Sequence, residues 1–167
     1  MDYERQDCSL ARALEVVGER WALLIVRDAF YGVRRFKDFH DHLDIPRAVL
    51  TERLNSLVDD GVLAREPDPA HAGRHLYVLT RAGEDLWPAV HALLTWGDRH
   101  RAPNSRRFRH AACATPLDTH GACPACGVTP EPADVTTEPR PGRRSSRDDP
   151  VALALRQRRR LLEPLPT

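Results

Sequence analysis

The sequence predicts a mainly α-helical domain with one small β-hairpin, followed by a Cys-rich segment and a disordered tail. Three observations predict it. The three Trp, four Phe and three Tyr all fall at or before Phe108, so a hydrophobic core belongs to roughly the first hundred residues. Within that region apolar residues recur at helical spacing between punctuating glycines, and only two short runs read as strands. Beyond it prolines multiply, and three of the four cysteines gather between residues 113 and 126. The expected division is a domain over 1–104, a Cys-rich segment over 105–135 and a basic Pro/Ser-rich tail over 136–167.

Bulk charge says little about partners. The formal net charge is +1, yet residues 1–100 carry 13 Lys+Arg against 17 Asp+Glu, while the remainder carries 12 against 7. Any case for nucleic-acid binding by the first domain must come from where its cations sit. No apolar run approaches the roughly 18 residues of a membrane span, and the acidic start Met1-Asp2-Tyr3-Glu4 is unlike a secretory signal. A cytoplasmic protein is expected, with cysteines as thiols or metal ligands.

The first helix is read over residues 9–17, with Leu10, Ala13, Leu14 and Val17 on one face and Gly18 ending it. A second runs from Trp21 to Phe30, with Trp21, Leu24, Ile25 and Ala29 inward, Arg27 and Asp28 outward, and Gly32 as its stop. A shorter third spans Phe36 to Leu43. After Asp44-Ile45-Pro46 a fourth helix buries Leu50, Leu54, Leu57 and Val58 and ends at Gly61. Its other face presents Arg47, Ala48, Thr51, Glu52, Asn55 and Asp59. Two helices joined by a short turn, the second amphipathic and led by a cation, form a helix-turn-helix.

Residues 62–66 and 75–80 then read as two strands around Pro67, Pro69 and Gly73, which makes the hairpin a wing. Thr80 is an N-cap for a long helix reaching about His100, whose apolar residues Leu86, Val90, Leu93, Leu94 and Trp96 exceed what a small domain needs to cover itself. That helix and the first one are the expected dimer surface.

The order of these landmarks resembles the HxlR-type family within the MarR/ArsR-like winged-helix superfamily. The residues that carry the resemblance are Cys8, Gly18-Glu19-Arg20-Trp21, Gly32 with Arg35-Phe36, Ile45 through Leu54, Asp60-Gly61-Val62-Leu63, Tyr77-Val78-Leu79-Thr80, Gly83 and Trp96-Gly97. The resemblance implies a winged helix-turn-helix in a dimeric bacterial regulator that binds an inverted-repeat operator, more often as a repressor. It also implies a response to electrophiles, oxidants or small metabolites. Two departures stand out: Ala48 replaces the polar residue common in relatives, and the wing segment Ala70–His75 lacks their paired prolines.

On this scaffold Arg47, Ala48 and Thr51 are candidates for base edges or adjacent phosphates. Arg53 is a phosphate or intradomain partner. Lys37 and Arg35 come from the supporting helix, and Arg35 can equally pair with an internal acid. Arg74 and His75 come from the wing. Cys8 lies where oxidant-sensing relatives carry a reactive thiol, so it is either a sensor or a small residue packing the dimer seam.

His110, Cys113, Cys123 and Cys126 spell H-x2-C-x9-C-x2-C, two short-spaced ligand pairs in a stretch with little core of its own. A structural, zinc-ribbon-like zinc site would supply the missing folding free energy, with His120 competing for the fourth position. Free thiols in a flexible tail and a Cys123–Cys126 disulfide are the alternatives. Four protein ligands close the metal's shell, which argues against a zinc hydrolase and for a protein that is not an enzyme. Residues 136–147, Arg143 and Arg144 included, read as a disordered basic linker, with a short helix within 148–163. The reading is a DNA-binding regulator; the other class it leaves open is a winged-helix protein-interaction module assembled around structural zinc.

Overall fold

A computed structural model describes residues 6–102, 106–142 and 145–166. The acidic start at residues 1–4, the boundary at 104/105 and the Arg143-Arg144 pair lie outside the described residues. The chain runs α1 (Ser9–Val17), α2 (Ala22–Phe30), α3 (Phe36–Leu43), α4 (Arg47–Asp59), β1 (Leu63–Pro67) and β2 (His75–Leu79). Then follow α5 (Arg81–Glu84), α6 (Trp87–His100), β3 (Arg106–His110), β4 (Val135–Pro139), α7 (Pro150–Ala154) and β5 (Arg159–Arg160). β1 and β2 form the antiparallel wing, with Leu63 opposite Leu79 and Pro67 opposite His75. β3, β4 and β5 form a second antiparallel sheet in that order.

Ile25, Val26, Phe30, Phe39, Ile45, Leu50, Leu54 and Leu57 are fully buried, so α2, α3 and α4 close around one core. Two expectations about the helices need correcting. Asp28 points inward and is completely buried; its Oδ1 accepts from Arg27 at 2.6 and 2.9 Å, which makes its burial tolerable. On α1, expected at the dimer surface, the buried residues are Ala11 and Val17, and Leu10 and Leu14 are 66% and 40% exposed within the single chain. The long helix is broken after Glu84. Pro88 lacks an N–H, and its ring opposes the carbonyl of the residue four earlier, so the chain turns at Asp85–Leu86 and restarts as α6. Thr80 does cap the first piece, accepting from Gly83 N–H at 3.2 Å.

The described residues from 136 onward, expected to be mostly disordered, are built into the fold. Phe108 on β3 sits edge-on to Trp87, 5.2 Å between centroids, and stacks on Tyr31 at 6.5 Å. Val135, Val151, Leu155, Leu161 and Leu165 extend the same core, so aliphatic side chains supply what the missing aromatics do not. The helix expected within 148–163 is a single turn, capped by Asp149 accepting from Ala152 N–H at 2.9 Å. It stops because the run Arg156–Arg160 offers no apolar stripe; β5 joins the sheet instead, and Leu161 N–H donates to Val135 O at 2.9 Å.

The C-terminal residues close on the first domain. Leu162 N–H donates to Phe30 O at 2.8 Å and Leu165 N–H to Gly32 O at 3.1 Å. Gly32 has φ +89°, and a Cβ there would run into the Glu163 carbonyl, so glycine is demanded twice over.

Candidate nucleic-acid interface and metal centre

The turn between α3 and α4 fixes what α4 presents. Asp44 caps α3 in the left-handed region at φ 51°, Ile45 is buried beneath the turn, and Pro46 stands as N-cap, one position earlier than expected. With Leu50, Leu54 and Leu57 facing the core, helical geometry turns Arg47, Ala48 and Thr51 to solvent. The Arg47 guanidinium lies 5.9 Å over the Phe36 ring, and Thr51 Oγ1 donates to the Arg47 carbonyl at 2.9 Å. Lys37 is 71% exposed and bridges to Asp41 one turn along α3. Hydrogen bonding to Asp41 holds its ammonium above the ordinary lysine value, although Arg47 pulls the other way. Lys37 and Arg47 therefore belong to one patch.

Arg53 does not reach outward. It is bonded to Glu52 and lies 3.9 Å from Glu19, the intradomain pairing that was one of its two expected roles. Arg35 behaves likewise: it is the N-cap residue of α3, and its Nε donates to Asp68 at 3.3 Å. Asp68 is the internal partner of Arg35, and the sequence reading did not single it out. Buried at the wing's base, it accepts from Ala70 N–H at 2.9 Å and contacts His71 Nδ1 at 3.1 Å. The Ala70 N–H, then His71 and Arg35, outweigh burial and hold the Asp68 carboxyl below its usual range. Asp-Pro-Ala-His is an Asx-turn signature, and that signal was available in the sequence. Arg74 and His75 are exposed where the wing's loop meets β2, and Arg74 N–H closes the loop on His71 O at 3.1 Å.

Cys8 is exposed at the N-cap of α1, next to the uncovered Leu10 and Leu14, and its side chain makes no cap hydrogen bond. All four cysteines are free thiols.

The other three converge with a histidine. His110 ends β3, Cys113 follows in a tight turn, and Cys123–Cys126 form a knuckle closed by Gly127 N–H to Cys123 O at 2.9 Å. The Cys113 and Cys123 sulfurs are 3.4 Å apart, Cys113 Sγ lies 3.5 Å from His110 Nδ1, and all four donor atoms lie within 4.8 Å of one another. Donors around a tetrahedral zinc, at about 2.1–2.3 Å from the metal, are roughly 3.4–3.8 Å apart. The residues fit a metal ion, and a sulfur separation of 3.4 Å is no disulfide. Thr115 holds the Cys113 thiol down at about 6, while Cys113 and Cys123 push Cys126 up to about 11. His120 lies outside the group; its N–H donates to Asp118 at 2.8 Å. Ala114 takes the left-handed conformation at φ 57° without being glycine.

One clamp ties the extension to the helix-turn-helix. Arg147 donates to Asp44 Oδ2 at 2.6 Å, to Asp149 Oδ2 at 2.9 Å and to the Asp41 carbonyl at 2.7 Å, while His42 Nδ1 meets Asp149 Oδ1 at 2.9 Å. No helix among the described residues is long and apolar enough to cross a membrane.

Comparison with known proteins places this geometry. A family model described as HxlR-like helix-turn-helix matches residues 16–105. An uncharacterised HTH-type transcriptional regulator of Mycobacterium bovis is 44% identical over 138 residues, 80% of this chain and 87% of the relative. A Mycobacterium tuberculosis relative with the same description matches to the same extent. An alignment of that length runs past residue 105 into the Cys-rich segment. Among solved structures, PA1607, named as a candidate transcription factor, is similar at 33% identity and TM-score 0.61, covering 74% of this chain and 89% of that one. The reduced form of the redox regulator HypR is similar at 28% identity and TM-score 0.52, covering 56% and 94%.

Proposed function

The chain belongs to the HxlR-like helix-turn-helix family of transcriptional regulators, and on that footing we propose that it is a cytoplasmic repressor that binds an inverted-repeat operator as a homodimer. The observation that carries this reading is the exposed N-terminal turn of α4, where Arg47, Ala48 and Thr51 stand clear of the core. Arg47 reads a guanine edge or an adjacent phosphate, Thr51 and Ala48 contact neighbouring base edges, and Lys37, Arg74 and His75 meet phosphates on either side. Arg35 and Arg53 hold the wing and α4 in place and contribute to DNA binding through that geometry.

The dimer uses the apolar faces that one chain leaves uncovered. Leu10 and Leu14 on α1 and Leu93 and Trp96 on α6 are 40–66% exposed, which is unusual for side chains of this size and suits a buried interface. Cys8 stands beside that surface, so its oxidation or alkylation would alter the spacing of the two α4 helices. The similarity to HypR supports a redox-sensitive member.

His110, Cys113, Cys123 and Cys126 hold a structural zinc ion. When bound, zinc supplies folding free energy to a segment that otherwise relies on one short sheet and a few aliphatic side chains. The four residues position the β3 end against the Cys123–Cys126 knuckle.

Selection of bound duplexes from a random pool tests the regulator. A palindromic consensus with steep salt dependence is the expected result, and Arg47→Ala should weaken binding to it by about 1–3 kcal/mol. Recovery of no sequence preference, with Arg47→Ala indistinguishable from the parent, would overturn it.

A further inference from the structure

A cleft of about 750 Å³ opens where the extension meets the helix-turn-helix domain. Its apolar wall comes from Leu24, Leu43, Leu94 and Leu155, contributed by α2, α3, α6 and the residue after α7. Four guanidinium groups, Arg27, Arg106, Arg147 and Arg156, line the same space, and among the described residues no carboxylate does. We propose that this cleft is a binding site for an organic anion with an apolar body, of the alkyl- or aryl-carboxylate class.

Size and lining together set that class. The volume falls in the range of sites for drug-sized molecules and is far more than inorganic phosphate or acetate would fill. Leucine side chains reward an apolar body, whereas a guanidinium is built to receive a planar carboxylate through two parallel N–H bonds. Of the four arginines, Arg27 is held by Asp28 and Arg147 by Asp44 and Asp149. Arg106 gives Nε to Thr137 Oγ1 at 2.8 Å and Nη1 to the Leu155 carbonyl at 2.5 Å, and burial pushes its guanidinium below the ordinary value. A cation in that condition gains from an incoming negative charge. Arg156, at the mouth, is exposed and bonds among the described residues only to the Arg147 carbonyl, at 3.3 Å. It is the side chain free to close on a carboxylate.

The cleft also touches the clamp. His42 and Arg147 line it, and Arg147 is the residue that holds Asp44 at the turn leading into α4. An anion in the cleft competes for Arg147 and so loosens or re-aims that turn. This regulatory consequence rests on the regulator reading above; occupancy of the cleft does not.

The test is calorimetry on the DNA-free full-length protein with octanoate and 4-phenylbutyrate, each compared with its uncharged amide up to about 5 mM. The carboxylates should bind and the amides should not. Arg156→Gln should weaken carboxylate binding about tenfold with an unchanged melting temperature, and Arg156→Lys should restore part of it. No binding by either carboxylate would overturn the proposal. So would equal binding of acid and amide, or an affinity indifferent to Arg156→Gln. Because DNA is absent, a failed operator selection leaves this result standing, and the reverse also holds.

Discussion

The guanidinium of Arg147 meets the carboxylate of Asp44 at 2.6 Å across 103 residues of chain. Asp44 is the left-handed cap between α3 and α4, so a residue of the C-terminal extension fixes the turn that leads into α4, the proposed recognition helix. Arg147 spends its remaining donors on Asp149 and on the Asp41 carbonyl, and the three acceptors together raise its already high affinity for its proton. The extension is thereby a brace on the turn between α3 and α4.

Removing the brace should be measurable in stability and in binding. Arg147 is 37% exposed, so solvent screens its ion pairs, and Arg147→Ala should cost about 1–2 kcal/mol. A fall in melting temperature of about 2–6 °C is expected by calorimetry. Operator affinity should fall as well, because the turn that leads into Arg47 loosens. Unaltered melting and unaltered affinity would show that α3 and α4 hold the turn unaided.

Acid should loosen the same junction. Burial alone would raise Asp149, but the Ala152 N–H, Arg147 and His42 outweigh it and hold the carboxyl below its ordinary 3.8. Asp44, bonded to Arg147, and Asp41, bonded to His40 and Lys37, are lowered too. A carboxylate with a depressed folded value contributes fully above the unfolded value, here 3.8, and the contribution is lost as pH falls through the lower folded value. Melting temperature should therefore drop steeply below about pH 4, and Asp149→Asn should flatten that drop. A slope identical in the variant would assign the acid sensitivity elsewhere.

Gly32→Ala places a methyl group at φ +89° against the Glu163 carbonyl, and at least about 2 kcal/mol of stability should be lost. Limited proteolysis should then cut the C-terminal residues well before the helix-turn-helix core. Cleavage in the parent order would mean that the end of the chain yields without cost.

Ala114 should respond in the opposite sense. Its φ of 57° costs a non-glycine residue roughly 1–2 kcal/mol, while glycine adds back some unfolded-state entropy. Ala114→Gly should stabilise by about 0.5–1 kcal/mol, with melting about 2 °C higher, and Ala114→Val should destabilise. A lower melting point for the glycine variant would reject the strained turn.

Metal analysis completes the set. Protein purified without chelator should carry about one zinc per chain, and Cys123→Ser should lose it along with several degrees of thermal stability. His120→Ala should keep the metal and His110→Ala should not. Equal zinc in the Cys123→Ser variant would end the proposal.

Much of this was determined by sequence alone. Helical periodicity placed α1 to α4 to within a residue or two, Gly61 marked the end of α4 and Thr80 the start of α5, and the paired Cys spacing named the four donors that the fold brings together. These are local signals: a period, a cap or a ligand spacing is written within a dozen or so residues. What only the tertiary structure decided depends on partners far away in the chain. Asp28 reads as a surface acid until Arg27 folds over it, and the internal acid that Arg35 could pair with is identified as Asp68 only once the wing is folded. The last thirty residues look disordered because their prolines and arginines cannot make a core by themselves. Val151, Leu155, Leu161 and Leu165 find one already built, and burial against existing apolar surface supplies the free energy that local composition lacks.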